Sequence, residues 1–498
     1  MKFLSDEDKQ GLIGAETLAP TPLPTQMVSS DEFAPVPQTR KQAEAEARLY
    51  ALAESIAPKL KLSRRRFFET AAGMAAGFVA LNETFGAVFD ASRAEAQTPE
   101  MADARAAALA DQFIMDMHTH FLRDDTRLLG FVRMREAVGR TGWNPDLGGE
   151  QTIEHLKFAN YRREIFLDSD TKVALISSAP SDIPEDWFLT NEQMAHARTR
   201  VNEEAGSRRL LTHAIFTPGA PGWLDHLDAS LALAPDSVKG YTVGDNTHKE
   251  TARYPWRMDD EATTYPGYER MRAAGVRNVC VHKGLWPAAL DARFPHLAPY
   301  ADVRDVAKAA KDWPQLNFII YHSAYRLGDP AAALAAFERT GRLDWVSDLA
   351  DIPAQHGVSN VYADLGQIFA QTLIAEPRVC AAILGILIKG LGADHVCWGT
   401  DAVWTGAPQW QIEGLRRLEI PQDMQEAHGF APLGGADGEV KRMILGANNA
   451  RLYGWSEEDQ NAWRADRLTT EKAARREAGL GRSNLRYGFA APSASAAA

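Results

Sequence analysis

The sequence predicts a (β/α)8 TIM barrel with long loops on one face and an N-terminal extension, and three observations favour this fold. After residue 110, apolar β-branched runs alternate with amphipathic, Ala-rich segments, which is the pattern of parallel α/β folds. Eight such runs occur, and eight is the strand number of this barrel. Polar residues suited to catalysis follow several of these runs, where a barrel gathers its active site. A doubly wound sheet is the alternative, because it needs no fixed strand number.

Composition excludes several classes of protein. The chain has 498 residues and a formal net charge of −12, so it lacks the basic balance typical of nucleic-acid binding. No apolar run is long enough to span a bilayer. The three cysteines show no metal-ligand spacing, and Cys280 and Cys397 lie in apolar strand-like runs, so we expect buried thiols.

The first 96 residues divide into two predicted parts. Residues 1–62 are expected to be a disordered extension that contains one helix, at 41–56. Residues 63–96 resemble a twin-arginine export signal, with Arg64 and Arg65, a small apolar stretch, and Ala94-Glu95-Ala96 as a cleavage site. An exported or periplasmic enzyme beginning near Gln97, and recognition by the translocase, follow from this interpretation. The alternative is a cytoplasmic protein in which the segment is a helix packed on the enzyme.

The strands and helices of the barrel are predicted from periodicity. Strands are expected at 113–117, 173–177, 211–216, 238–243, 278–281, 318–321, 361–365 and 396–399. Helices between them include 191–204, 267–274, 303–311 and 331–340. Long connections at 121–172, 244–265 and 402–440 are expected to form the loops that select the substrate. Residues 456–498 are predicted to form a helix and a flexible tail.

Candidate functional residues stand at the ends of four of these strands. The first strand leads into His118-Thr119-His120, and side chains at positions i and i+2 of a strand point to the same side. His282 follows the fifth strand, His322 the sixth and Asp401 the eighth. In a barrel these positions converge, whereas each residue alone could be a packed histidine or a helix cap.

The motifs around these residues resemble those of a known family. The chain is similar over about residues 111–455 to the amidohydrolase-related group of the metal-dependent hydrolase superfamily, which includes aminocarboxymuconate-semialdehyde decarboxylase. The matching pieces are Asp116-Met117-His118-Thr119-His120, Val281-His282, Tyr321-His322-Ser323, Gly399-Thr400-Asp401 and residues 444–454.

The resemblance implies a ligand set and two catalytic roles. His118, His120, His282 and Asp401 would hold one divalent metal ion, zinc being expected and manganese or iron being alternatives. Asp401 would also accept a proton, and His322 would act on bound water or substrate. Some superfamily members use a modified lysine and two metals, but Lys239 lies early in the fourth predicted strand. We therefore expect one metal, and Lys239 as a salt-bridged or surface group.

Two reactions remain open at this point. The leading hypothesis is hydrolysis of a C–O or C–N bond in a small organic substrate by a metal-activated water. The alternative is non-oxidative decarboxylation of an unsaturated or aromatic acid at the same metal. A barrel that has lost catalysis is disfavoured, because such a barrel has no physical need for converging ligands. The expected partners are the small-molecule substrate and, as an option that the sequence leaves open, a second copy of the chain in a homodimer.

Overall fold

The fold is described from a computed structural model that covers residues 21–27, 37–141, 147 and 149–478. The predicted disorder of residues 1–20 and 28–36 and of the tail after 478 lies outside the described residues, whereas Leu23, within residues 21–27, is buried in the core. Within them, no helix is both long and apolar enough to cross a membrane. The description is of a single chain, so the homodimer stays a prediction.

Eight parallel strands form the predicted barrel, in the order β1 to β8. Hydrogen bonds from Met117 N to Trp398 O and from Asp401 N to His118 O join β1 to the β8 end and close it. The doubly wound alternative is thereby excluded. The strands are β1 Met115–Thr119, β2 Val173–Ile176, β3 Leu210–Phe216, β4 Ser237–Tyr241, β5 Asn278–His282, β6 Asn317–Tyr321, β7 Val361–Asp364 and β8 Val396–Cys397.

The barrel interior is filled by alternate residues of these strands, as the period of two requires. Met115, Met117, Leu175, Cys280 and Ile319 belong to one buried cluster inside the barrel. All three cysteines are buried and free, which confirms the expected role of Cys280 and Cys397 as small apolar side chains. The interior is therefore a packed core, and chemistry is restricted to the mouth.

Helices surround the barrel and extend it at both ends of the chain. Their bounds are α1 Arg40–Ile56, α2 Arg64–Phe68, α3 Ala71–Phe85, α4 Arg93–Gln97, α5 Pro99–Ala108, α6 Gly130–Arg140, α7 Phe158–Arg162, α8 Asn191–Ala205, α9 Trp223–Leu231, α10 Tyr265–Ala273, α11 Ala289–Arg293, α12 Ala298–Ala301, α13 Val306–Asp312, α14 Pro330–Thr340, α15 Val346–His356, α16 Gly366–Ala375, α17 Pro377–Leu391, α18 Gln409–Arg417, α19 Gln422–His428, α20 Glu439–Arg442, α21 Asn448–Leu452, α22 Glu457–Asn461 and α23 Arg467–Glu477.

Helices α1 to α5, residues 40–108, form an N-terminal layer with its own apolar core. Helix α3 begins at the Thr70 cap, whose hydroxyl accepts a hydrogen bond from Gly73 N. Side chains around the whole circumference of α3 are buried, so this helix is an interior element of the layer. Gly73 is required there, because a Cβ at this position would collide with the backbone of Phe67.

The N-terminal layer is joined to the barrel by polar and apolar contacts. Phe89 pairs with Leu418 in an isolated antiparallel bridge, and Asp90 N donates a hydrogen bond to Arg417 O. The guanidinium of Arg417 binds both carboxylate oxygens of Glu95, and both side chains are buried. This packing of residues 63–96 supports the alternative of a helix packed on the enzyme. Export stays a prediction, and removal of these residues would uncover the core that they share with the barrel.

The C-terminal segment lies against the outside of the barrel in two helices rather than in one. Between α22 and α23, Asp466 caps α23 and accepts a hydrogen bond from Arg209, with both side chains buried. Lys472 of α23 reaches the backbone oxygen of Ser169. These bonds fix the segment beside the loop that leads into β2.

Candidate metal centre

Two histidines of β1 and an aspartate after β8 meet at the mouth of the barrel. His118, His120 and Asp401 each offer one ligand atom, and these atoms lie within 4.8 Å of one another. The Nε2 atoms of His118 and His120 are 3.2 Å and 3.1 Å from the same oxygen, Oδ1 of Asp401. All three side chains are buried. Two imidazoles and a carboxylate are a donor set that zinc, manganese and iron accept, so this site could bind one metal ion.

The Nδ1 atoms of the two histidines are engaged on the side away from Asp401. Nδ1 of His118 lies 2.9 Å from Oδ2 of Asp364, at the end of β7. Nδ1 of His120 lies 3.0 Å from the backbone oxygen of Ser177, just after β2. The backbone oxygen of Ser177 can only accept, and Asp364 accepts when its carboxyl group is ionised, so in that state each ring carries its proton on Nδ1 and leaves the Nε2 lone pair toward Asp401. Both rings therefore have the tautomer that a metal ligand needs.

Asp116 holds the β8 loop that carries Asp401. Its Oδ1 accepts hydrogen bonds of 3.1 Å from His118 N and from Thr400 N. The hydroxyl of Thr400 donates to the other oxygen of the same carboxyl. Burial raises the pKa of Asp116 to about 7 against these hydrogen bonds. Asp401 itself has a φ of 60°, a left-handed conformation that is rare for residues other than glycine and that recurs at functional sites.

His282 and His322 lie beside the three-residue group. The His322 ring centroid is 4.8 Å from that of His118 and 4.6 Å from that of His282. His282 stacks on Tyr241, with which it is also in register between β5 and β4. The structure thus brings all five predicted residues to one mouth. His282 is not part of the group within 4.8 Å, and its role as a fourth ligand stays a prediction.

Lys239 is placed differently from the sequence expectation. It lies in the middle of β4 and is fully buried, so the interpretation as a surface group is wrong. Its Nζ lies 3.5 Å from Nε2 of His118 and 3.6 Å from the centroid of the Tyr321 ring. The side chain points inward because β4 alternates between the barrel interior and the helices. A lysine ammonium therefore belongs to the surroundings of the metal centre.

The electrostatics of the centre keep its histidines neutral. Burial lowers the pKa of His118 well below its ordinary value, and the positive charge of Lys239 lowers it further. The pKa of His120 is lowered for the same two reasons, in the same order. For His322, burial and then the neighbouring His282 lower the pKa. Neutral imidazole is the form that binds metals.

Aromatic rings cover the centre. Trp404 stacks on His120 with ring centroids 5.5 Å apart, and on Phe131 of α6 at 4.9 Å with nearly parallel planes. Phe188 meets the edges of both Trp404 and His120. Rings from the connections after β1, β2 and β8 thus cover one side of the ligands.

Lys283 and Arg326, which follow β5 and β6, have surroundings other than the metal centre. Lys283 is buried and pairs with Asp305 at 2.9 Å, so it serves the structure of the loop after β5. Arg326 and Trp345 border a second cavity, of about 650 Å³. A cavity of about 470 Å³ opens among the loops after β2, β3 and β4, and Tyr241 forms part of its wall. Because Tyr241 also stacks on His282, this cavity reaches to within one ring of the centre.

Sequence reasoning missed Asp364, the residue that binds His118. The available signal was its position at the end of the seventh strand, which matches the rule used for the other residues. Two glycines leave space for the carboxyl group of Asp364. A Cβ at Gly399 would collide with Oδ1 of Asp364, and a Cβ at Gly366 would lie 2.9 Å from Oδ2. The aromatic cover by Phe131 and Phe188 was also missed, because neither residue follows a strand directly.

Comparison with known proteins identifies the family of the chain. The model of a family described as Amidohydrolase matches residues 115–455. A search of curated proteins gave no match. Among solved structures, 5-carboxyvanillate decarboxylase from Sphingomonas paucimobilis is 14% identical, with a TM-score of 0.40 over 69% of this chain and 100% of that chain.

Two further structures are similar to the same extent. 2,6-Dihydroxybenzoate decarboxylase from Rhizobium is 16% identical, with a TM-score of 0.36 over 69% of this chain and 99% of that chain. Dihydroxybenzoic acid decarboxylase from a Polaromonas species, solved with manganese and the inhibitor 2-nitroresorcinol, is 16% identical, with a TM-score of 0.38 and coverages of 69% and 97%. Likeness at this level does not identify a reaction.

Proposed function

Since the chain belongs to the amidohydrolase family, we propose that it is a metal-dependent enzyme that decarboxylates an aromatic or unsaturated acid without oxidation. One observation carries the choice of reaction: the side chains of the centre are buried, and aromatic rings cover one side of it. His118, His120, His322 and Asp401 are each about 1% exposed or less, and Trp404 and Phe131 stack above His120. A water-excluded site destabilises a carboxylate relative to neutral carbon dioxide, and flat rings complement an aromatic acid.

The residues present fit one divalent ion. The Nε2 atoms of His118 and His120 converge on Asp401 because Asp364 and Ser177 hold the opposite ring nitrogens. Nδ1 of His322 is buried and has no hydrogen-bond partner in the described chain, so it is available to a ligand. We assign His118, His120 and Asp401 as ligands, with His282 as the fourth. When bound, the ion supplies positive charge that holds and polarises oxygen atoms of the substrate.

Asp401 and His322 then have different roles in the reaction. Decarboxylation breaks the bond between the carboxyl carbon and the rest of the acid, and a proton takes the place of the carboxyl group at that carbon. At this buried site a side chain supplies the proton, and Asp401 is the carboxyl group placed to hold and transfer it. His322, kept neutral by burial, donates or accepts a hydrogen bond to the substrate and fixes its orientation. Water restores the proton to Asp401 after the product leaves.

Hydrolysis of a C–O or C–N bond is the second candidate, and the same ligand set favours it. A metal-activated water and Asp401 as its base would be sufficient for that reaction. It needs a water molecule beside the ligands, which the aromatic cover opposes.

The two reactions are separated by isotopes. The purified, metal-analysed protein is incubated in deuterated water with a panel of hydroxylated aromatic acids, unsaturated acids, esters, lactones and amides. Decarboxylation releases carbon dioxide and leaves deuterium on the former carboxyl-bearing carbon, whereas hydrolysis in ¹⁸O-labelled water places the label in a new carboxyl or hydroxyl group. Turnover of esters or amides with ¹⁸O incorporation, and no release of carbon dioxide from any acid, would overturn the proposal.

A further inference from the structure

We infer that Asp364 is a positioning residue of the metal centre, which sets the orientation and tautomer of His118; this inference rests on the proposed metal site. Asp364 ends β7, and its Oδ2 lies 2.9 Å from Nδ1 of His118 with both side chains buried. The motifs that point to the family do not include this residue. Its contact with His118 spans 246 positions of the chain.

The surroundings of Asp364 are shaped to hold the carboxyl group in one place. Its backbone oxygen accepts a 2.7 Å hydrogen bond from the hydroxyl of Ser323, and its Oδ2 is 3.5 Å from His322 N. Gly366 and Gly399 pack against the two carboxyl oxygens, where any side chain would be too close. Asp364 therefore cannot turn away from His118 without a change in two neighbouring loops.

The two histidines of β1 differ in how they are oriented, and this makes the role of Asp364 testable. His120 is held by a backbone oxygen, that of Ser177, which no substitution removes. His118 is held by a side chain, which a substitution does remove. Without Asp364 the His118 ring can adopt the other tautomer, with the proton on Nε2, where it would block the ligand lone pair. Acceptors that orient metal-binding histidines are typically worth about 10- to 100-fold in metal affinity.

The first test compares Asp364→Ala and Asp364→Asn with the unmodified protein. Metal affinity is measured by competition with a chelator of known affinity, and the electronic spectrum of the cobalt-loaded protein reports the ligand geometry. We expect Asp364→Ala to bind metal about 10- to 100-fold more weakly and to shift the cobalt spectrum. We expect Asp364→Asn to lie between the other two, because its amide oxygen can still accept a hydrogen bond from Nδ1.

A second measurement needs no metal. In the metal-free protein with ¹⁵N-labelled histidine, the chemical shifts of the ring nitrogens report the tautomer of His118, assigned by its loss in His118→Ala. We expect the Nδ1-protonated form in the unmodified protein and a mixture of tautomers in Asp364→Ala. A purely structural role for Asp364 would leave this ratio unchanged.

Asp245→Asn is the matched control. Asp245 is also a buried aspartate on the loops of the catalytic face, but its carboxyl group binds Ser181 and backbone amides instead of a histidine. We expect unchanged metal affinity in this variant. If the unmodified protein binds no metal, the proposed function fails, whereas normal affinity, spectrum and tautomer in Asp364→Ala overturn the present inference. If Asp364→Ala does not fold, Asp364→Asn decides by the same three measurements.

Discussion

The metal centre and the N-terminal layer each contain a short motif, and the two motifs differ in the contacts that the fold gives them. His118 and His120 emerge at a strand end, where a distant carboxylate, Asp401, reaches both rings. Arg64 and Arg65 instead begin a short helix in a layer packed on the barrel, and Arg64 is paired with Glu54 at 2.9 Å. A histidine motif is thus completed by the fold, whereas an export motif would need its segment to be available for recognition.

This difference shows what gives a short motif its meaning. Two histidines one residue apart are common, and they form a site only where the topology supplies further ligands. The helix that follows the arginines is apolar, and the sequence alone cannot distinguish a signal from a buried helix. In the structure the residues after this helix contact the barrel, where Phe89 pairs with Leu418 and Glu95 binds Arg417, and export stays a prediction. Four predictions test this difference between the histidine motif and the arginine motif, from the largest expected effect to the smallest.

The largest effect is expected from the histidine motif. His118→Ala and His120→Ala each remove a nitrogen that faces Asp401, so bound metal should fall sharply and activity should become undetectable, with the fold retained. Metal content by elemental analysis and circular dichroism check this. His196→Ala, at an exposed position of α8, is the control and should keep full metal content. Normal metal content in both His118→Ala and His120→Ala would show that these histidines do not hold a metal ion.

The second-largest effect is expected at His322, which lies beside the proposed ligands and is proposed to orient the substrate. His322→Ala should keep nearly normal metal content, while kcat falls about 100- to 10,000-fold and KM changes less. Steady-state kinetics alongside elemental analysis measure both quantities. Loss of the metal would make His322 a ligand, and full activity would make it a packing residue.

A moderate effect is expected where the N-terminal layer meets the barrel. Glu95→Ala leaves the buried guanidinium of Arg417 with Glu413 and the backbone oxygen of Asp90, so the free energy of unfolding should fall by about 3 kcal/mol. Arg93→Ala breaks the exposed pair with Glu83 and should cost less than about 1 kcal/mol. Urea denaturation monitored by tryptophan fluorescence compares the two. Equal, small changes would mean that the layer is only loosely attached.

The smallest effect on the folded protein is expected from the arginines themselves. Replacing Arg64 and Arg65 with Lys keeps the charge and should change the free energy of unfolding by less than about 1 kcal/mol. Because the layer shares its core with the barrel, retention of residues 63–96 in the enzyme isolated from its native host would favour the packed-helix alternative. N-terminal sequencing and cell fractionation, with and without the Lys replacements, check this. A folded enzyme that begins at Gln97 outside the cytoplasm would instead support the export prediction.

Much of the barrel could be predicted from sequence because its signals are local. A buried parallel strand is a continuous apolar run, and all eight predicted strands overlap the observed ones, although β1 begins two residues later than expected. The positions of His118, His120 and Asp401 followed from the rule that barrel strands end at the active site. The family resemblance over about residues 111–455 agrees with the matched range, 115–455.

The features that could not be predicted from the sequence depend on which residues of distant strands face each other. Whether Lys239 points inward or outward depends on the phase of β4 in the closed barrel, which a one-residue shift would invert. The contact of Asp364 with His118 requires a glycine at position 399, two residues after β8, because a Cβ there would collide with Oδ1 of Asp364. The stack of Phe131, Trp404 and His120 joins two long loops to a strand end. The sequence alone determined the barrel and the donor residues at its mouth, because both follow from local periodicity. Closure of the barrel and packing of its loops decided how these donor side chains are oriented, which charges surround them and which aromatic rings cover them.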